Sequence, residues 1–465
     1  MLLLAALCSI GTGCSDSESD PNGQCPCDEG WVCDETTNRC VPEPDVDIPP
    51  DPPEEEPDAP TPTNPVVSLA AGGNNTCALF EDGSLKCWGS NSVGQLGYGG
   101  TDVGHIGNDE TPASMPSIDV GGVVKHVAVG ETYICAALSD GKIRCWGLEG
   151  LTSPGDAVPS SQTAMDVGGK VMKLAAGSAH TCALLEDSTI RCWGYAVYGQ
   201  LGYGNIQDID YANLPGTAGA VSVGGPVADI AAGIRHTCAA LENGHVRCWG
   251  SNYRGALGYP GEVLIGDVSL PSDQPPVLLL YQSEFGILFV PTIALSVGTL
   301  HGCSLHATGE LACWGANSSD QIWSTDRGQL GYGHGMDIGD NEQPATSVGV
   351  KVGSDVLQVA TGDAHTCALL VSGNVRCWGG GTLGQLGYGN ASNIGDDEVP
   401  STKPTVDVGG KVKQVVAGNN HTCALLENGD VRCWGYGEIG QLGYGNPLNV
   451  GVDEVPSSLD PVPLQ

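Results

Sequence analysis

Phenylalanine is almost missing from this chain, with three residues in 465. Basic side chains are scarce as well: 18 Lys and Arg stand against 54 Asp and Glu, a formal charge of −36. Beyond the N-terminus no long stretch carries helical periodicity, and no apolar run reaches the ~20 residues of a membrane-spanning helix. Each shortage excludes something. Without helical periodicity, a bundle is ruled out in favour of strands and turns. The acidic balance repels phosphate backbones, so nucleic acid is not an expected partner. Its plain reading is solubility, and its sharper one is attraction to cations or basic partners. There is no nucleophile elbow, zinc-protease helix motif or phosphate loop, so the expectation is a non-enzymatic protein without a cofactor.

Glycine, proline and cysteine are plentiful, at 70, 30 and 20 residues. Fourteen of the cysteines lie in one stretch written out seven times, with its cleanest copy running from His421 to Gly435. The two cysteines of each copy are ten positions apart, and Trp-Gly follows the second. Thr-Cys-Ala-Leu-Leu and Val-Arg-Cys-Trp both alternate like strands, and Glu-Asn-Gly or Glu-Asp-Gly between them signals a hairpin. A three-residue loop such as Glu81-Asp82-Gly83 sets Phe80 opposite Ser84 and Cys77 opposite Cys87. Directly opposed residues share a face. The expected disulfides are therefore Cys77–Cys87, Cys135–Cys145, Cys182–Cys192, Cys238–Cys248, Cys303–Cys313, Cys367–Cys377 and Cys423–Cys433. Patterned cysteine on this scale indicates an oxidising compartment.

Around the hairpin the unit continues. A strand ending in Ala-Gly precedes it, as at Val67 to Gly72. A turn-rich Gly-Gln-Leu-Gly-Tyr-Gly follows, then an acidic loop, then a last strand such as Thr405 to Gly409. That makes about four strands per unit. The regulator of chromosome condensation repeat has this Gly-Gln-Leu-Gly, this Ala-Gly strand, this His-x-Cys-Ala-Leu and this Trp-Gly, and the chain resembles that family from Val66 to Gln465. The resemblance implies an all-β, seven-bladed propeller of four-stranded blades. The first unit lacks a preceding strand and Val455 to Gln465 resembles Val399 to Val408, so the C-terminal strand is expected to complete the blade begun at Val66. Nuclear members of the family act on small GTPases and contact chromatin. Export, disulfides and acidic charge argue against that role for this chain.

The rest of the chain reads as 1–13 signal peptide, 14–24 tether, 25–40 disulfide-rich module and 41–65 linker, ahead of a 66–465 propeller. The first fourteen residues resemble a bacterial lipoprotein signal with Cys14 as the lipidated residue, although no Lys or Arg precedes the apolar run. Cys25, Cys27, Cys33 and Cys40 form a tiny module whose four thiols pair in an undetermined order. Ten prolines and eight acidic residues between Val41 and Pro65 make an extended spacer.

Several residues invite chemistry. His180, His236, His301, His365 and His421 recur two positions before a cysteine, with Asn75 and Tyr133 in the remaining copies. A metal ring would need all of them to converge, and framework hydrogen bonding is the preferred reading, with no metal expected. The acidic loops, such as Asp396-Asp397-Glu398, offer oxygen ligands for calcium, but ordinary turn chemistry accounts for them. Function is expected where the copies disagree: at Leu148, where the Gly-Gln-Leu-Gly motif is missing, at Tyr281 in the apolar segment Pro275 to Pro291, and at Trp323 in the insertion Ala316 to Arg327. The expectation is a monomeric, lipid-anchored envelope scaffold for an unidentified protein partner, on the outer membrane or cell surface, or secreted if not lipidated. An envelope enzyme or polysaccharide-binding protein is the alternative.

Overall fold

The computed structural model describes residues 31–34, 39–42, 64–147, 158–210, 215–261, 263–279, 281–283, 286–318, 327–344 and 349–465. Two compact units emerge, Met1–Thr61 and Pro62–Gln465. In the first, Trp31–Asp34 and Arg39–Pro42 pair antiparallel with Cys33 opposite Cys40. The signal segment, Cys14, the tether, Cys25, Cys27 and nearly all of the linker lie outside the described residues.

The second unit repeats one sheet seven times. In the first copy, Val66–Gly72 pairs antiparallel with Asn75–Phe80, which pairs with Leu85–Gly89. In the last copy the strands are Val412–Ala417, His421–Leu426 and Val431–Gly435. The middle strand is buried at every position, because both of its edges are paired and both of its faces are covered. Cys77 sits opposite Cys87, and Phe80 N donates to Ser84 O across the Glu81-Asp82-Gly83 turn. All seven hairpin cystines form, with Cα atoms 4.1 Å apart in the first.

The fourth strand is reduced to little more than a contact. Val406 forms a single bridge with Val375 of its own repeat, and Met165 with Ile143. This shifts the expected phase by one strand. The segment Thr405 to Gly409 closes the outer edge of the repeat it follows. Accordingly Val462 N donates to Val431 O of the seventh sheet, not to the first. The expectation that the C-terminal strand completes the first blade is therefore corrected: it edges the last sheet. It also reaches the first repeat, where Ala113 N donates to Pro463 O and Lys86 Nζ to Leu464 O.

Sheets stack side by side in chain order, and the seventh meets the first with the bonds that join the sixth to the seventh. Gln358 exchanges two hydrogen bonds with the backbone of Val415, at 2.8 and 3.0 Å. Gln414 makes the same pair with Leu69, at 3.0 and 2.8 Å. The turns between first and second strands, from Gly72 through Gly233 to Gly418, line one central space of about 90 Å³. A Cβ on Gly177 would lie 2.3 Å from Gly233 O and 2.4 Å from His180 Cε1, so only glycine permits this approach.

Candidate functional site

The repeated polar residues form one interface device, built from two neighbouring repeats. Repeat three contributes His180 and the carbonyl of Gln200; repeat four contributes Thr237 and Trp249. Gln200 O accepts from Thr237 Oγ1 at 3.0 Å and from Trp249 Nε1 at 2.9 Å. His180 Nε2 lies 2.8 Å from the same threonine oxygen. The hydroxyl has one proton, and Gln200 takes it, so the imidazole donates through Nε2–H. The same arrangement links His365, Gln385, Thr422 and Trp434. It also links His421, Gln441, Thr76 and Trp88, joining the last repeat to the first. Gly387 shows why the motif needs its second glycine: φ is +78°, and a Cβ would sit 2.9 Å from Trp434 Nε1.

The histidines are thus framework groups. Burial pushes His180, His301 and His421 down to about 3, and His236 and His365 to about 4. They stay neutral at physiological pH. Three junctions break the device. Between repeats one and two, Asn75 and Ile134 replace the histidine and the threonine, and Trp146 Nε1 has no hydrogen-bond partner among the described residues. Gly302 stands where five other repeats have threonine, and His236, facing it, has no hydrogen-bond partner on either ring nitrogen among the described residues. Tyr133 replaces the second repeat's histidine and instead accepts from Thr181 Oγ1 at 2.9 Å.

Other repeated residues are likewise absorbed. The tyrosine of Gly-Tyr-Gly folds back on its own hairpin: Tyr388 Oη accepts from Cys377 N and donates to Cys377 O, both at 3.1 Å. Burial pushes this phenol up to about 12. Arg432 donates to Pro456 O and Leu459 O, pinning the outer segment.

What remains lies at the two ends. The antiparallel order sends every loop after a third strand to the same end as the glycine turns. The hairpin tips lie at the other end. Leu148 and Trp323 fall outside the described residues. Tyr281 lies at the opposite end, in a short hairpin of Tyr281–Ser283 with Gly286–Leu288. That hairpin follows the outer segment of repeat four, and beside it Phe289 stacks on His245 at 4.6 Å. Of the three expected interaction residues, the described residues include Tyr281 alone.

At the loop end, the fourth and fifth repeats are clasped by Arg254, whose backbone is left-handed at φ 55°. Its guanidinium donates to both carboxylate oxygens of Asp337 at 2.8 Å and to Ser318 O and Oγ at 2.9 and 2.7 Å. Ser318 and Arg327 bridge across the base of the insertion that carries Trp323. A cleft of about 860 Å³ opens beside this clasp, lined among others by Tyr332, His334, Met336 and Glu342. Sequence reading missed Arg254; a lone basic residue in an acidic loop was the available signal. In the sixth repeat Asp396, Asp397 and Glu398 present carboxylates within 4.8 Å of one another. Glu398 pairs with Lys403 at 2.8 Å, and desolvation and Asp397 raise its proton affinity.

A family model described as the regulator of chromosome condensation (RCC1) repeat matches residues 66–95, 172–200, 227–256, 356–385 and 412–441, and a second of the same description matches 372–425. The chain carries RCC1 repeats. The Arabidopsis thaliana ultraviolet-B receptor UVR8 is 31% identical over 47% of this chain and 43% of its own length. The human probable E3 ubiquitin-protein ligase HERC3 is 29% identical over 48% of this chain and 19% of its own. The chain thus spans less than half of either curated relative. Among solved structures, yeast RCC1 (Prp20) bound to Kap60 superposes with a TM-score of 0.60 at 19% identity, over 85% of this chain and 84% of that one. Human WBSCR16 gives 0.56 at 18% identity, over 78% and 91%. This RCC1-repeat chain is a β-propeller.

Proposed function

We propose that this RCC1-repeat chain is a non-enzymatic scaffold of the cell envelope. In this reading its seven sheets are the blades of a closed, monomeric propeller. The propeller binds a protein partner through its loop-bearing end. Cys14 carries the lipid anchor, and the proline-rich acidic linker holds the propeller away from the membrane surface, reaching about 75 Å if fully extended. One observation carries the scaffold reading: the residues common to the repeats are used in the framework, His to Thr, Trp to the Gln carbonyl, Cys to Cys. The side chains left for recognition are those in which the loops differ. Seven cystines suit an oxidising location, and two or more acyl chains on Cys14 would hold the protein to a membrane firmly.

The test is fractionation with palmitate labelling, combined with crosslinking on intact cells. The wild-type chain should label and sediment with membranes, and Cys14→Ala should do neither. Crosslinking should recover one stoichiometric protein partner. A label that persists in Cys14→Ala overturns the anchor, and recovery of glycan alone overturns the scaffold.

A further inference from the structure

We infer that an apolar arc across the loops of repeats three, four and five is the docking surface for a basic, amphipathic protein segment. This deepens the scaffold reading and rests on it. The large exposed hydrophobic side chains of the loop-bearing end concentrate there: Val197 and Ile206 at 57% and 58% exposure, Val268 at 87%, Met336 at 67%, with Tyr253 and Leu264 between them. Among the described residues, the loops of repeats one and six expose none, and the seventh exposes Leu448 alone.

The three loops interlock, so these side chains share one surface. Gly199 packs on the backbone of Ile265 and Asp267, and Gly255 on that of Ile338 and Asp340. Arg235 lies 4.5 Å over the Tyr198 ring, and Gly261 N donates to Asp340 O at 2.7 Å. Large apolar side chains gathered on one part of a folded surface mark an interaction site more often than singly scattered ones do.

Charge selects the partner. The seven loops that follow the third strands hold twenty Asp and Glu and two Arg. Both arginines face carboxylates, Arg254 on Asp337 at 2.8 Å and Arg327 on Asp396 at 3.9 Å. The acidic charge of these loops disfavours a second copy of this chain, which would bring the same charge. It favours a segment with aliphatic side chains on one face and Lys or Arg on the flanks, since rim charges steer encounter while a buried apolar anchor holds the complex.

The experiment uses the oxidised full chain and a fluorescent peptide of about 18 residues with leucine on one helical face and lysine on the other. Oligolysine of the same length and a glutamate-leucine analogue are the comparisons. The lysine-leucine peptide should bind about tenfold or more tightly than oligolysine, and the acidic analogue should not bind. Val268→Asp with Met336→Asp should weaken binding by about tenfold or more, while Leu448→Asp, outside the arc, leaves it unchanged. Equal binding of oligolysine, or indifference to the arc substitutions, overturns the inference. So does a concentration-dependent dimer that the same substitutions abolish, which assigns the arc to a second copy. If cell crosslinking still recovers a partner from the Val268→Asp, Met336→Asp chain, the arc fails and the scaffold reading stands.

Discussion

A histidine usually reads as a candidate for chemistry, and here five of them are buried framework groups, four of them donors to threonine. Their environment has a measurable consequence. Burial lowers the proton affinity of each ring, to about 3 for His421 and about 4 for His365, from an ordinary 6.5. The folded state holds these rings neutral, and the unfolded chain takes up protons as pH drops below 6.5. Stability from this source is therefore complete above that value and declines as pH falls toward the folded-state values. The slope approaches about 1.4 kcal/mol per pH unit for each histidine. The urea midpoint should fall between pH 7 and pH 5, a window in which most carboxylates stay ionised. His421→Gln should flatten that fall, and an unchanged midpoint in the wild type would overturn the assignment. The Thr–His pairing itself was not legible in the sequence. His365 and Thr422 stand 57 positions apart, and only the stacking of neighbouring sheets brings them together. The residue types were visible, and the partner was not.

At the scale of the element, the hairpin was the most legible feature. Ten-residue cysteine spacing, an Asn-Gly or Asp-Gly turn and strand alternation fix the register of Cys77 on Cys87 without any long-range contact. The outer strand was the least legible. Thr405 to Gly409 has strand-like alternation, but one bridge, Val375 to Val406, decides which hairpin it joins. The sequence offered no local signal for that choice, so the phase came out one strand late. The staple of a hairpin can be weighed separately from the sheet it sits in. Replacing both members of Cys367–Cys377 by serine should lower stability by about 2–3 kcal/mol, as expected for a loop of this size. Calorimetry on the variant would read this as a lower melting temperature with the fold retained. Loss of less than about 0.5 kcal/mol would mean that the β-ladder alone holds the hairpin.

For the whole molecule, the seam between repeats seven and one is where the last segment of chain matters. Val462 and Leu464 are buried, and backbone groups of 463 and 464 bond Ala113 N and the Lys86 ammonium. Deleting residues 461–465 should cost about 3 kcal/mol or more from lost burial. Hydrogen exchange should speed up first in Leu85–Gly89 and Val431–Gly435, the two third strands at the seam, while the third to fifth repeats keep their protection. A uniform rise across all repeats would show that the seam has no separate weight. Architecture was legible at this scale because the period repeats seven times. The docking arc was not, because the loops that carry Val197, Val268 and Met336 meet only when the sheets stack.

The hairpin cystines also bear on how the chain reaches its fold. Each joins cysteines ten residues apart with no other cysteine between them, and the next cysteine along is never closer than 37 residues. Loop-closure entropy favours the shorter connection. In every repeat the native partner is therefore also the kinetically nearest one. As the chain emerges segment by segment, each pair can be oxidised when its own hairpin appears, before the next repeat arrives. Such a protein needs a thiol oxidant but little reshuffling by an isomerase, and after full reduction it should regain its cystines with few scrambled intermediates.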